Sequence, residues 1–309
     1  LGAEGRLADA SVRRAQCSAL GEQPYGVVAS FFRQAYGVAP GDLLEAAREK
    51  LRSGLEGLEA AGTEAAGLLP LLGYVLGLEP AGPPELEPEQ LKRQIFLALR
   101  VLAERRLDRG PLLLIVEDLH WADAASVELL RFLADRLPHR PLLLLATYRP
   151  TFDARALLPA RAAHTAIRLL PLSPQDAATL LDACLGTAGA ALPAPLQAMI
   201  LQRAGGNPFY LEETLRSLTA QGVLVQRDGA WSCAAEAVAL EALEVPPTIQ
   251  SLLLARLDRL PPHARRRLQE AAVLGPVVEE EMLRVISPSA DDLPPALEAL
   301  LDAELLAEE

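Results

Sequence analysis

Leu112 to Val116 is an uninterrupted apolar run, bounded by Gly110-Pro111 and closed by two adjacent carboxylates, Glu117 and Asp118. It is too short for a helix, and a run with no polar position predicts a strand covered on both faces, as in a parallel sheet. A second run of this kind, Pro141 to Ala146, leads into Thr147-Tyr148-Arg149-Pro150. Between the two, apolar residues recur at helical spacing from about Ala124 to Leu137, with Asp123 placed as N-cap. Ahead of them Glu89 to Arg109 reads as a long amphipathic helix, with Leu91, Ile95, Leu97, Ala98, Val101 and Leu102 near one face. Helix, strand, helix, strand predicts a doubly wound parallel sheet. Further strands are predicted at His164 to Leu170 and, more weakly, at Ser11 to Cys17.

The flanking pattern is helical. Gln23-Pro24-Tyr25-Gly26 predicts a turn before a helix over Val27 to Tyr36. Asp42 is placed to cap a helix reaching about Leu58, and a shorter apolar helix spans Leu68 to Leu78. After Pro171 the strands give way to helices. They are expected from Ser173 to about Leu185, from Pro195 to Ala204 and from Pro208 to Ala220. Asp228-Gly229 marks a hairpin between Val223–Val225 and Ala230–Ser232. Four helical pieces close the chain, at Thr248–Leu260, Pro262–Leu274, Val277–Ile286 and Leu293–Leu306.

Composition narrows the class. With 309 residues, the chain is long enough for about two domains with buried cores. Half of the residues are hydrophobic but they are dispersed, and no run approaches the roughly 18 to 20 residues of a membrane span. A net charge of −12 opposes a broad phosphate-binding face, so no direct nucleic-acid contact is expected through this segment. Arg265-Arg266-Arg267 is the one dense basic cluster, and three consecutive helical residues fan out into a solvated face. Cys17, Cys184 and Cys233 lie far apart, which fits free thiols and a cytoplasmic location. The chain begins Leu1-Gly2 without Met or a signal pattern and is expected to be an excerpt from a longer protein.

The chemistry is expected at the carboxyl ends of the strands, where ligands of open α/β sheets sit. Right-handed crossovers place Glu117, Asp118, Thr147 and Arg149 on one edge. Carboxylates there suit a hydrated Mg²⁺ and a polarised water, and Arg149 suits a γ-phosphate. Alternation along the strand turns Glu117 and Asp118 to opposite sides, giving them different tasks. Trp121 is expected to pack under the following helix, with His120 a satisfied polar residue beside it. At Gly205-Gly206-Asn207-Pro208, Gly closes one helix, Asn caps the next and Pro opens it; the alternative sets Pro208 against an adenine base. No GxxxxGK[ST] is present, and neither of the two lysines, Lys50 and Lys92, follows a glycine loop. Without that nest of backbone N–H groups, this stretch alone is expected to bind nucleotide poorly.

With these residues assembled, the chain resembles the ATPase module of the STAND class of P-loop NTPases. More closely, it resembles the AAA-type ATPase domains of large bacterial regulators, the cyclase–ATPase–TPR proteins and LuxR-type transcription factors. LLLIVEDLHWAD (Leu112–Asp123) resembles Walker B, LLLLATYR (Leu142–Arg149) the sensor 1 strand, and GGNPFYLEE (Gly205–Glu213) the Gly-x-Pro region. Val245–Gly275 resembles the entry to a winged-helix region. The resemblance implies Mg²⁺ at Glu117 and Asp118, with Glu117 where the family often has Asp. Asp118 is the water-polarising acid, Thr147 and Arg149 are the sensor 1 residues, and Pro208 beside Asn207 faces the adenine.

The fold implied is a P-loop NTPase-like parallel sheet over residues 1–171. A helical lid subdomain with a short hairpin (172–244) and a partial winged-helix region (245–309) follow. The expected strand order is 5-1-4-3-2, with strand 1 and its phosphate loop missing and therefore a gap between His164–Leu170 and Pro141–Ala146. The function implied is an ATP-dependent switch in a bacterial signalling or transcriptional regulator, hydrolysing ATP as an intact module but inactive as this fragment. Its partners would be ATP and ADP, the sensor and output domains of the same longer chain, and other copies in nucleotide-dependent self-association. The alternative is a non-catalytic interaction scaffold on a degenerate ATPase fold.

Overall fold

The computed structural model describes residues 10–18, 23–39, 41–58, 65–79, 86–157, 163–186, 192–227, 230–233, 248–275, 278–287 and 292–307. The Asp228-Gly229 turn and the first residues of the Val245–Gly275 stretch lie outside them. The chain forms two compact units, Leu1–Ile167 and Arg168–Glu309.

The first unit is built on a parallel sheet of β1 (Ser11–Gln16), β2 (Leu112–Glu117) and β3 (Leu142–Ala146), with β2 in the middle. Ser11 pairs with Leu112 and Leu112 with Leu142, so the three strands run in one register. Around them lie α1 (Gly26–Tyr36), α2 (Leu44–Leu58), α3 (Ala65–Val75), α4 (Pro88–Asp108) and α5 (Ala124–Arg136). One core joins the sheet to the helices: Val116 and Leu114 meet Val28 and Phe31 of α1, Ile95 and Leu99 of α4, and Leu129 of α5. Leu97, expected on the core face of α4, is 47% exposed, and Phe96 and Leu99 are buried instead.

The chain is thus α/β, and the three strands are the 4-3-2 portion of the expected order. The strand expected at His164–Leu170 does not form: residues 163–170 carry no ladder and are exposed, with Ile167 and Leu169 at 80% and 90%. A strand needs a neighbour to satisfy its backbone groups, and residues 163–170 pair with no described strand. The two outer edges of the sheet also differ. On β1, the Gln34 side chain of α1 bonds the main chain of Arg14 at both N–H and C=O. On β3, no described strand pairs beyond it, and Leu143 and Leu145 are 63% and 50% exposed.

Asp42 is a second correction. The helix begins at Leu44, and the Asp42 carboxylate instead accepts the Ala39 N–H and the Lys50 ammonium. That pairing holds its pKa below the usual carboxylate range, the Lys50 hydrogen bond being the main cause.

The second unit contains α6 (Pro174–Leu185), α7 (Ala194–Ala204) and α8 (Pro208–Ala220). It continues with the antiparallel pair β4 (Leu224–Arg227) and β5 (Ala230–Cys233) at the expected hairpin. Then come α9 (Ile249–Asp258), α10 (Pro262–Leu274), α11 (Glu280–Ile286) and α12 (Leu293–Asp302). Ser173 caps α6 by accepting the Asp176 N–H, and Thr248 and Ser251 form a capping box on α9. Leu181, Leu196, Ile200, Leu211 and Leu218 make its first core, Ala264, Ala296 and Leu300 a second. The solvated arginine face does not hold as expected. Arg267 is 2% exposed and paired with Glu270 at 2.5 Å, while Arg265 turns back onto the Leu257 carbonyl.

Candidate functional site

The end of β2 is shaped by its neighbours. Ladder bonding carries past β3, because Thr147 donates its N–H to the Val116 carbonyl and accepts the Leu119 N–H on its own carbonyl, both at 2.9 Å. Its hydroxyl oxygen accepts the Asp118 N–H at 3.2 Å. Asp118 itself is left-handed, φ 54°, ψ 39°, a conformation that short polar side chains tolerate. The chain there leaves the strand and enters a single 3-10 turn, Leu119–Trp121, before Asp123 starts α5. The structure therefore joins Asp118 to Thr147 directly.

Glu117 meets a different group. Arg14, two residues before the end of β1, donates Nε and Nη2 to its two carboxylate oxygens, each at 2.8 Å. The hydrogen bond from Arg14 lowers the Glu117 pKa below its ordinary value, with its charge adding to the effect. Sequence reading gives no sign of Arg14, which lies 103 positions from Glu117. Arg149 follows β3 on the same sheet edge, exposed, and hydrogen-bonds to neither acid. Cys17, just past β1, is buried near Asp123 and Asp118. Burial first, then those two charges, push its thiol up to about 11.

Two neighbours depart from expectation. Trp121 is 42% exposed and its ring meets that of His120 at a tilt of 43°, centroids 5.1 Å apart, rather than packing under α5. Both ring nitrogens of His120 are buried and have no hydrogen-bond partner among the described residues. The following turn is the best-bonded part of the site. The Asp123 carboxylate accepts the Ser126 N–H as N-cap of α5, and also the Tyr25 and Gly26 N–H groups at the start of α1, at 2.8 to 3.0 Å.

Asn207 and Pro208 belong to the second unit. Gly205, at φ 54°, closes α7; Asn207 Oδ1 accepts the Phe209 and Tyr210 N–H groups, and Pro208 opens α8. Gly206 is required by contact as well as by φ, since a Cβ there would stand 2.6 Å from the Leu172 carbonyl oxygen. In the same unit the Glu213 carboxylate, 4% exposed, receives Arg256 at 3.1 and 3.2 Å and Arg216 at 3.2 Å. Sequence reading treated Glu213 only as part of a motif.

Residues 6–145 match the family model of the AAA ATPase domain. The chain is 29% identical over 220 residues to an uncharacterized protein of Rhizobium meliloti (strain 1021), covering 71% of this chain and 20% of that protein. It thus spans a fifth of that relative's length. No solved structure matches the chain. The family match and the parallel sheet together are consistent with an AAA-type ATPase module on a P-loop NTPase-like fold. Among the described residues, no helix is long and apolar enough to cross a membrane.

The acids fit Mg²⁺ only in part. Glu117 is already neutralised by Arg14, and among the described residues no group of three acids, histidines or cysteines could hold a metal. Asp118, the other acid at the strand end, has no side-chain bond to a described residue, so one free carboxylate remains for a hydrated cation.

Proposed function

We propose that this chain is the acidic half of an ATP-dependent switch in a larger bacterial signalling or transcriptional regulator. The observation that carries the reading is the bond from Asp118, inside the stretch that matches an AAA ATPase domain, to Thr147, two residues beyond it, at the carboxyl end of a parallel sheet. Bound Mg²⁺–ATP would supply the electrophilic phosphorus and neutralise developing charge. On the protein side, Thr147 fixes the Asp118 main chain, leaving its carboxylate to accept a hydrogen bond from an attacking water. Arg149 lies on the same edge as a cation for the phosphate, and Glu117, released from Arg14, would be the second carboxylate.

We assign the open edge of β3 to the strand that would carry the phosphate loop. On this reading Asn207 and Pro208 open the lid over the adenine, with residues 172–244 as the lid and 245–309 as part of a winged helix. Sensor and output domains of the same cytoplasmic protein would take up the nucleotide-dependent closure, by self-association among other routes. One observation favours a scaffold instead: the Glu117–Arg14 pair occupies a carboxylate that a metal site needs.

ATP binding and turnover of a chain extended upstream, compared with its Asp118→Asn variant, separate the two. Asn tolerates the left-handed backbone, so the change removes charge without strain. ATP binding by the extended chain, with hydrolysis that falls by about a hundredfold or more in the variant, supports the switch. An extended chain that binds no ATP sinks it in favour of the scaffold.

A further inference from the structure

Beneath the other end of the sheet lies a half-open cavity that the acids do not touch. It is a cavity of about 300 Å³ within the first unit, walled by Phe31, Leu99, Leu102, Leu114, Leu130 and Leu133. All six are buried. A volume of this size, at roughly 30 Å³ per liquid-packed non-hydrogen atom, accommodates on the order of ten such atoms. Cavities of this size with apolar walls and a few convergent polar groups are the usual form of small-molecule sites.

The polar groups here are of one kind. Arg13 of β1 and Arg106 and Arg109 at the end of α4 line the same cavity. Each guanidinium meets only neutral acceptors. Arg13 bonds the Val12 carbonyl at 2.9 Å, Arg106 the Gly110 carbonyl at 3.4 Å and the Ser11 hydroxyl, and Arg109 the Gly57 carbonyl. Among the described residues none of the three has a carboxylate partner, although the chain carries 41 acids against 29 lysines and arginines. Burial, and then the charges of Arg13 and Arg109, lower the Arg106 pKa below its ordinary value. An anion would relieve that repulsion and offer the planar oxyanion geometry that guanidinium groups bind best.

We propose that this cavity binds an amphipathic anion, its unbranched apolar tail among the buried leucines and its oxyanion head on Arg13, Arg106 and Arg109. The assignment does not rest on the ATPase reading. It concerns the amino ends of the strands, where Ser11 and Leu112 begin β1 and β2, whereas Glu117 and Asp118 stand at the carboxyl ends.

Titration calorimetry on the full chain tests it with octanoate, octyl phosphate and 1-octanol, which share a tail of the right size. Saturable binding of either anion, with octanol weaker by about tenfold or more, is expected; the tighter of the two heads names the ligand class. Arg109→Gln, at an exposed position, should weaken the anions several-fold and leave octanol unchanged. Ala103→Trp, which fills the cavity from α4, should abolish binding, its fold being checked by circular dichroism. Octanol binding as tightly as the anions, no saturable binding up to millimolar concentrations, or unchanged octanoate binding by a folded Ala103→Trp variant would each overturn the assignment.

Discussion

Arg14 holds Glu117 through two parallel hydrogen bonds of 2.8 Å, one to each carboxylate oxygen. This fork-on-fork pairing joins the ends of adjacent strands and sets the charge state of the sheet edge. Arg14→Ala should let the Glu117 pKa rise toward the ordinary carboxylate range. Because the native pKa is depressed, the pairing stabilises the fold above the ordinary value and fades as pH falls through the lowered one. Carboxylate titration by NMR reads the change. If Arg14→Ala also raises Mg²⁺ affinity, Arg14 competes for the metal carboxylate; an unaltered Glu117 titration would show that Arg14 does not govern it.

Cys17 and Cys184 should separate by alkylation. The Cys17 thiol is raised from 9.0 to about 11, so at pH 8 its thiolate fraction is about a hundredfold below that of an ordinary thiol. Cys184 is exposed and should react first with iodoacetamide, followed by mass spectrometry of the peptides. The raised value also fixes a sign. The folded chain holds the Cys17 proton that the unfolded chain loses, so this contribution to stability falls as pH rises from about 9 to 11. Equal labelling rates for the two cysteines in the native protein would contradict it.

Glu213 offers a stability test in the second unit. Its carboxylate is buried and shared by Arg256 of α9 and Arg216 of α8. Glu213→Ala leaves Arg256 without its partner, and the expected loss is about 3 kcal/mol or more. Replacing both Glu213 and Arg256 by apolar residues should restore much of it. Urea denaturation of the single and double variants measures the difference, and a single variant within ~0.5 kcal/mol of the native chain would show that the pair is not stabilising.

The open edge of β3 predicts behaviour in solution. Leu143 and Leu145 are exposed beside backbone groups that no described strand pairs, which invites edge-to-edge association. Leu143→Lys should lower concentration-dependent light scattering, and a chain extended upstream should scatter less without any substitution. Scattering that is the same in all three chains would place the association elsewhere.

Much of the fold was legible because its signals are local. Five apolar residues in a row mark β2, and Asp123, Ser173 and Asn207 cap the helices they precede. The strand at His164–Leu170 is misread because composition reports a segment's preference and not whether it pairs with another strand. The site was legible only in part for a similar reason. Asp118 and Thr147 follow from where two strands end. Arg14 on Glu117 and Arg256 on Glu213 are pairings across 103 and 43 positions, which no spacing rule encodes. Arg267 looked like a surface residue because three arginines in sequence do not tell which one turns inward.

Asp123 fastens α1 and α5 with a single carboxylate, although Tyr25 and Ser126 are about a hundred residues apart in sequence. Two helix starts that share one acceptor cannot fray independently. Amide hydrogen exchange should therefore see their first turns open as one cooperative block, and Asp123→Ala should raise exchange in both, by roughly the fivefold to tenfold that a lost cap of about 1 kcal/mol implies.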